Sequence, residues 1–167
     1  MNASEITPFE WKRLEFFKPK EFIGSQYKQG ELHSMLPFLD IRVIWMITRL
    51  RRLCGQRMTP SPARGAIART WDPQSQHHIG SVREFSTAID LFVLEGSLEH
   101  VYNVAKDMKE VGGFGAYPQW VPHHGIHIDI RPHNNQATWM AENEGGKQVY
   151  MGLNWARVKE IQKSLGK

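Results

Sequence analysis

Seven residues, Gly125 to Arg131, alternate without a break: Ile126, Ile128 and Ile130 fall on one side, His127, Asp129 and Arg131 on the other. A period of two belongs to an extended strand and not to a helix. Three isoleucines on one face have to enter a core. The opposite face, with an imidazole, a carboxylate and a guanidinium, must then look into solvent or a cleft. A second segment, Ala88-Ile89-Asp90-Leu91-Phe92-Val93, reads as a buried strand with a single carboxylate inside an apolar run. Burying Asp90 there is costly unless it is paired, hydrogen-bonded or bound to a cation.

The rest of the chain supplies helices to cover such strands. Thr7-Pro8-Phe9-Glu10 has the form of a capping box with proline at the first helical position, and predicts a short helix ending by about Phe17, before Lys18-Pro19. Phe22 and Ile23 lead into a Gly/Ser/Gln-containing connector. Leu36, Leu39, Val43, Ile47 and Leu50 recur at helical spacing and predict a helix from about Met35 to Leu53, stopped by Gly55. Pro60, Pro62, Gly65 and Pro73 predict irregular structure over 56–76. Ser97 caps a predicted helix from Leu98 to Val111 that Gly112-Gly113 ends, and a Gly/Pro/aromatic loop follows. A short strand near Ala137 to Ala141 and a last helix over Asn154 to Leu165 complete the reading. The expected fold is α+β: a small, mostly antiparallel sheet flanked by helices, in one domain over 1–167.

Composition narrows the function classes. With 167 residues, 41% of them hydrophobic, six Trp and eight Phe, the chain can build an ordinary core. A net charge of +4 and a pI near 9.3 favour polyanions in general and identify none. The densest basic run, Arg49, Arg51, Arg52 and Arg57, sits at a helix end, where cations are favourably placed, and lacks the polar and aromatic readers of a nucleic-acid site. The one cysteine, Cys54, forms no intrachain disulfide and reads as a small buried residue. The longest apolar run, around Val43 to Ile47, is far too short for a membrane span. Met1-Asn2-Ala3-Ser4-Glu5 lacks the basic start and apolar stretch of a secretion signal, so the chain is expected to be made in the cytoplasm without one.

Chemistry concentrates in the histidines. His77 and His78 are adjacent, and His123, His124, His127 and His133 crowd a short stretch. Two imidazoles and one carboxylate are the donor set of a catalytic zinc ion that keeps its fourth position for water.

These residues resemble a known family. Ser75-Gln76-His77-His78-Ile79-Gly80, followed by Ala88-Ile89-Asp90, is similar to the Ser-x-His-x-x-Gly-x-Ala-x-Asp signature of D-alanyl-D-alanine metallopeptidases, a group related to the L-alanyl-D-glutamate endolysins and the hedgehog zinc fold. Gly112-Gly113-Phe114-Gly115-Ala116-Tyr117-Pro118 and Ile126-His127-Ile128-Asp129-Ile130-Arg131 resemble the branch that ends Gly-Gly-x-Gly-x-Tyr-Pro and His-x-Asp. Lys18-Pro19-Lys20-Glu21-Phe22 is similar to its opening segment. The resemblance spans roughly 16–133, leaving a C-terminal strand and helix over 134–167.

The resemblance implies that His77, Asp90 and His127 bind Zn2+, with His78 a loop neighbour. It implies a peptidase acting on peptidoglycan peptides, with neither nucleic acid nor membrane insertion involved. Arg64 stands where the family has an arginine facing substrate, and is the candidate for holding a carboxylate or developing oxyanion. His124 occupies the place of the family's acidic general base. Asp129 is the other candidate base, or else the carboxylate that orients a ligand histidine. Tyr117 is a candidate for the cleft wall. Ser81 to Thr87 intervene where the family has one residue, an insertion that either bulges out or breaks the site. Without an export signal, the expected roles are a bacteriophage endolysin acting after lysis, or a virion component with other phage structural proteins as partners. The rival reading is a non-catalytic structural or binding module that keeps the peptidase fold.

Overall fold

The computed structural model describes residues 1–24, 32–80 and 83–166. Helix α1, Pro8–Leu14, starts as the capping box predicts: Glu10 N–H donates to Thr7 Oγ1 at 3.3 Å, and Thr7 N–H donates to the Glu10 carboxylate at 2.8 Å. It ends before Phe17, because Glu15 takes a φ of 61°. The connector expected after Ile23 lies largely outside the described residues. On either side of it, Ile23–Gly24 (β1) and His33–Ser34 (β2) form a small antiparallel sheet.

Helix α2 is Ile41–Cys54, six residues shorter at its start than the apolar spacing suggests. Pro37 lies in a 3-10 turn, Leu36–Phe38, and Asp40 caps the helix by accepting the Arg42 N–H at 2.9 Å. Leu36 and Leu39 are still buried in the same core, reached from a turn and not from the helix. Gly55 ends α2 at φ 67°. The arginines at this end are engaged within the fold. Arg49 pairs with Glu110 and Arg57 with Glu95, both at 2.9 Å, and Arg51 donates to the carbonyls of Phe16 and Met58. Cys54 is buried and unpaired.

The main sheet has six strands: Met58–Pro60 (β3), Ala88–Val93 (β4), Gly113–Tyr117 (β5), Gly125–Asp129 (β6), Ala137–Glu144 (β7) and Lys147–Gly152 (β8). Their order is β3-β4-β6-β5-β7-β8, antiparallel throughout except for the parallel pair β5–β7, so the sheet is mixed. Two strands replace expected irregular structure. β3 lies within the proline-bearing segment and tolerates Pro60 because it is an edge. β5 lies where a loop was expected. Helix α3, Leu98–Ala105, is capped by Ser97 but stops short of Val111. Helix α4, Trp155–Ser164, is capped by Asn154. The result is an α+β domain in which the four helices of the described residues bury Leu14, Val43, Ile47, Leu98, Val101 and Val158 together with Ile89, Leu91, Phe114, Ile126 and Ile128 from the sheet. Among the described residues no helix is long and apolar enough to cross a membrane.

The alternation in β4, β5 and β6 gives the sheet a second face. Asp90, Phe92, Gly113, Gly115, Tyr117, His127 and Asp129 fall there, and the register aligns Asp90 with His127, His127 with Gly115 and Gly115 with Trp139 in one row across four strands.

Phe114 is fully buried and meets the Tyr102 ring edge-on at 5.3 Å. Phe114→Ala is expected to cost about 3–5 kcal/mol in urea unfolding. Leu53→Ala, at a 55% exposed position, should stay within about 0.5 kcal/mol of the parent.

Candidate metal centre

Asp90 and His127 are brought together by strand pairing, as direct partners of the β4–β6 ladder. His77 comes from a loop pinned at several points. Its N–H donates to Ser75 Oγ at 3.2 Å, Arg69 N–H donates to the His77 carbonyl, and Ile79 N–H donates to the Arg69 carbonyl, each at 2.9 Å. Thr87 fixes the far end through N–H and Oγ1 bonds to the Gln76 carbonyl. The segment after Gly80 therefore leaves His77 and Asp90 in register, although residues 81 and 82 are outside the described part. The serine of the Ser-x-His pattern shapes the turn that delivers the histidine.

The three side chains converge. His77 Nε2 lies 3.2 Å from Asp90 Oδ1 and 2.9 Å from His127 Nδ1, and His127 Nδ1 lies 3.0 Å from Asp90 Oδ1. His77 is wholly buried, while the His127 and Asp90 side chains keep 8% and 14% exposure. The other ring nitrogens fix the tautomers. His77 Nδ1 faces the Ile67 carbonyl at 3.3 Å, and His127 Nε2 faces Asp129 Oδ2 at 2.9 Å. A carbonyl and a carboxylate only accept, so both of those nitrogens carry hydrogen. His77 Nε2 and His127 Nδ1 are left as lone-pair donors pointing at each other and at a carboxylate oxygen. Three electron-rich atoms at this spacing hold together around a cation or a proton. This group could hold a metal ion.

The electrostatics agree. Burial opposes the charge on Asp90, but the two imidazoles outweigh it and hold its carboxyl well below the usual range. Burial likewise disfavours a charged His127, yet its bonds to Asp129 and Asp90 win and raise its pKa. His77 is pushed down, chiefly by burial.

Asp129 is fully buried. Besides His127 it accepts Arg131 Nε at 2.9 Å and Arg131 N–H at 3.0 Å. Its oxygens are occupied by His127 and Arg131 and it lines neither hollow, a placement that suits holding the His127 ring from behind and not reaching into the cleft. Gly113 lies so close to Asp129 that a Cβ there would collide with the carboxylate, and a Cβ on Gly115 would come within 2.5 Å of the Trp139 ring, which sits 5.1 Å from the His127 ring. The Gly-x-Gly of β5 is thus a space requirement on the site face.

Above the triad lies a cleft of about 430 Å³ bordered by Asp90 and His127, and beside it a second hollow of about 380 Å³; Arg69, Tyr117, His127 and Tyr150 line both. Tyr117 takes the place expected of it. Arg64 is exposed at the first hollow, its guanidinium 4.2 Å from the Trp71 ring centroid. His124 is placed elsewhere: its Nδ1 pairs with Gln162 Nε2 of α4 at 2.9 Å, and it lines neither hollow. The place in the family pattern that made His124 a candidate base does not bring it to the cleft, because the chain turns it toward the last helix. His78 is buried beside His77 and is not part of the triad. Sequence reasoning missed Arg69, whose buried Nε has no hydrogen-bond partner among the described residues, and it missed Trp139 and Tyr150, which lie in strands past the recognised motifs.

Asp129→Asn is expected to weaken metal binding about 10- to 100-fold in a chelator competition, with the fold retained. Because the metal takes the nitrogen that a proton holds on His127, affinity should fall as pH drops below the raised His127 pKa; calorimetry in buffers of different ionisation enthalpy will register proton release on binding. Comparison with protein-family models, with characterised proteins and with solved structures finds no match.

Proposed function

We propose that the chain is a zinc-dependent peptidase acting on the peptides of bacterial peptidoglycan, with the hedgehog-like fold that its motifs resemble. The observation that carries this reading is the triad itself: two imidazole lone pairs and a carboxylate oxygen facing one another, each imidazole held in its tautomer from behind. The triangle has sides of 2.9, 3.0 and 3.2 Å. A tetrahedron with zinc–ligand bonds of about 2.0–2.1 Å has edges of about 3.3 Å, so zinc fits the donors with little adjustment. Two nitrogens and one carboxylate also match the donor set of a hydrolytic zinc site.

When bound, zinc supplies a Lewis acid and brings the pKa of a coordinated water to about 7. The chain does the rest. Asp129, clamped by Arg131, orients His127 and strengthens its basicity. Asp90 and His127 present the centre to the cleft, while fully buried His77 closes it from behind. Arg69, lining both hollows, is placed to hold negative charge on a substrate carboxylate or carbonyl oxygen. Arg64, on the Trp71 ring, contributes at the outer edge. Neither Asp129 nor His124 serves as general base here. On this reading the place of action is the cell wall, reached after lysis or from a virion.

One observation favours a second reading, a non-catalytic module stabilised by its metal: neither side chain expected to accept a proton faces the cleft. Zymography in gels containing peptidoglycan separates the two. The peptidase reading expects clearing by the zinc-loaded protein, loss of clearing with chelator and its return with added zinc. His127→Ala is expected to fall to background while its circular dichroism stays that of the parent. A zinc-loaded, folded chain that never clears the gel supports the module.

A further inference from the structure

A third hollow, of about 330 Å³, opens where the chain leaves β6 through Ile130, Arg131, Pro132 and His133. Arg42 reaches it from the first turn of α2, and Lys109 and Glu110 from the segment between α3 and β5. The lining thus holds two guanidiniums, an ammonium, an imidazole and one carboxylate. That carboxylate is already engaged, since Glu110 accepts Arg49 Nη1 at 2.9 and 3.2 Å. The donors are in excess. Arg42 meets Asp40, and Arg131 meets Asp129, through Nε and Nη2, and neither Nη1 makes a hydrogen bond among the described residues. Lys109 and His133 have no hydrogen bond or ion pair among those residues either.

Donors arriving from three separate stretches of chain suit a tetrahedral oxyanion, whose oxygens point in several directions. A planar carboxylate is satisfied by one guanidinium. The hollow is also larger than the anion alone, near the lower end of the range for small-molecule sites. Ile130 and Pro132 give the extra space an apolar side. Arg131 lines the second hollow beside the triad as well, and its partner Asp129 holds the His127 ring. A negative group on the outer side of that guanidinium draws charge away from Asp129, which then pulls harder on the His127 Nε2 hydrogen.

We propose that this hollow binds a phosphate ester, its oxygens held by Arg42, Lys109, Arg131 and His133 and its substituent against Ile130 and Pro132. Occupancy is felt at the triad through Arg131, Asp129 and His127. The site stands apart from the peptidase reading and binds its ligand without covalent change.

The chain, freed of metal so that no ion competes for phosphate, is titrated with glycerol phosphate, dimethyl phosphate and acetate and followed by proton–nitrogen NMR. The expected result is saturable binding of glycerol phosphate, at least about tenfold tighter than acetate, with shifts at Lys109, His133 and the Arg131 side-chain Nε. Lys109→Gln, at an exposed position, is expected to weaken that binding about tenfold while leaving the rest of the spectrum in place. Dimethyl phosphate binding as tightly assigns the site to the phosphodiesters of a polymer, and its failure to bind assigns it to free monoesters; both support a phosphate site. Binding no tighter than acetate, or unchanged in Lys109→Gln, overturns the site. As the site fills in the parent, the His127 ring N–H signal is expected to move downfield. A signal that stays in place while Arg131 shifts overturns the link to the triad. Peptidase activity enters none of these readings, so a chain that cleaves nothing leaves the proposal intact.

Discussion

Two imidazole nitrogens and a carboxylate oxygen held about 3 Å apart, with their hydrogens turned outward, form the constraint around which the rest of this domain is arranged. Such a cluster is unfavourable in isolation, because lone pairs repel and burial removes the water that would screen them. It persists because each member is fixed by something else. The β4–β6 ladder sets the separation of Asp90 from His127. The Ile67 carbonyl and Asp129 hold the rings by their outer nitrogens, and Arg131 in turn neutralises Asp129. The raised proton affinity of His127 follows from the same arrangement, since a proton is the cation that the bare cluster can always recruit.

Much of this was legible in the sequence wherever periodicity and burial point the same way. The strands holding Asp90 and His127 have clear patterns, apolar run and strict alternation, and the structure places them where those patterns put them. The caps of α1 and α3 were equally plain, because Thr7 and Ser97 have few other reasons to precede such segments, whereas Asn154, expected as the first residue of the last helix, proves to be its cap. β5 was not legible. Glycine weakens a strand locally, and only the bulk of Asp129 and Trp139 on the neighbouring strands, far away in the chain, explains why Gly113 and Gly115 belong in one. β8 escaped for another reason: it is an exposed edge with little apolar alternation to detect.

The site residues divide along the same line. The triad combines a motif with strand facing, two independent signals. His124 had only its place in the family pattern, where relatives carry an acidic base, and the turn before β6 sends its ring to α4. Asp129 was correctly placed on the polar face, but its burial and its hold on Arg131 are tertiary facts that alternation does not contain. Arg69 belongs to no pattern. Its significance comes from the loop that lays it beside His77 through the Arg69–His78 bridge.

The hairpin of β7 and β8 carries a consequence of its own. It supplies Trp139, Asn143, Gln148 and Tyr150 to the two hollows, yet contributes no member of the triad and pairs with the rest of the sheet through the parallel β5–β7 ladder. Part of the wall around the cluster is therefore encoded apart from the cluster itself. Tips and outward positions of this ribbon can change residue by residue while Asp90 and His127 stay untouched, so the outline of the hollows is free to drift among descendants of this fold without disturbing the three side chains beneath.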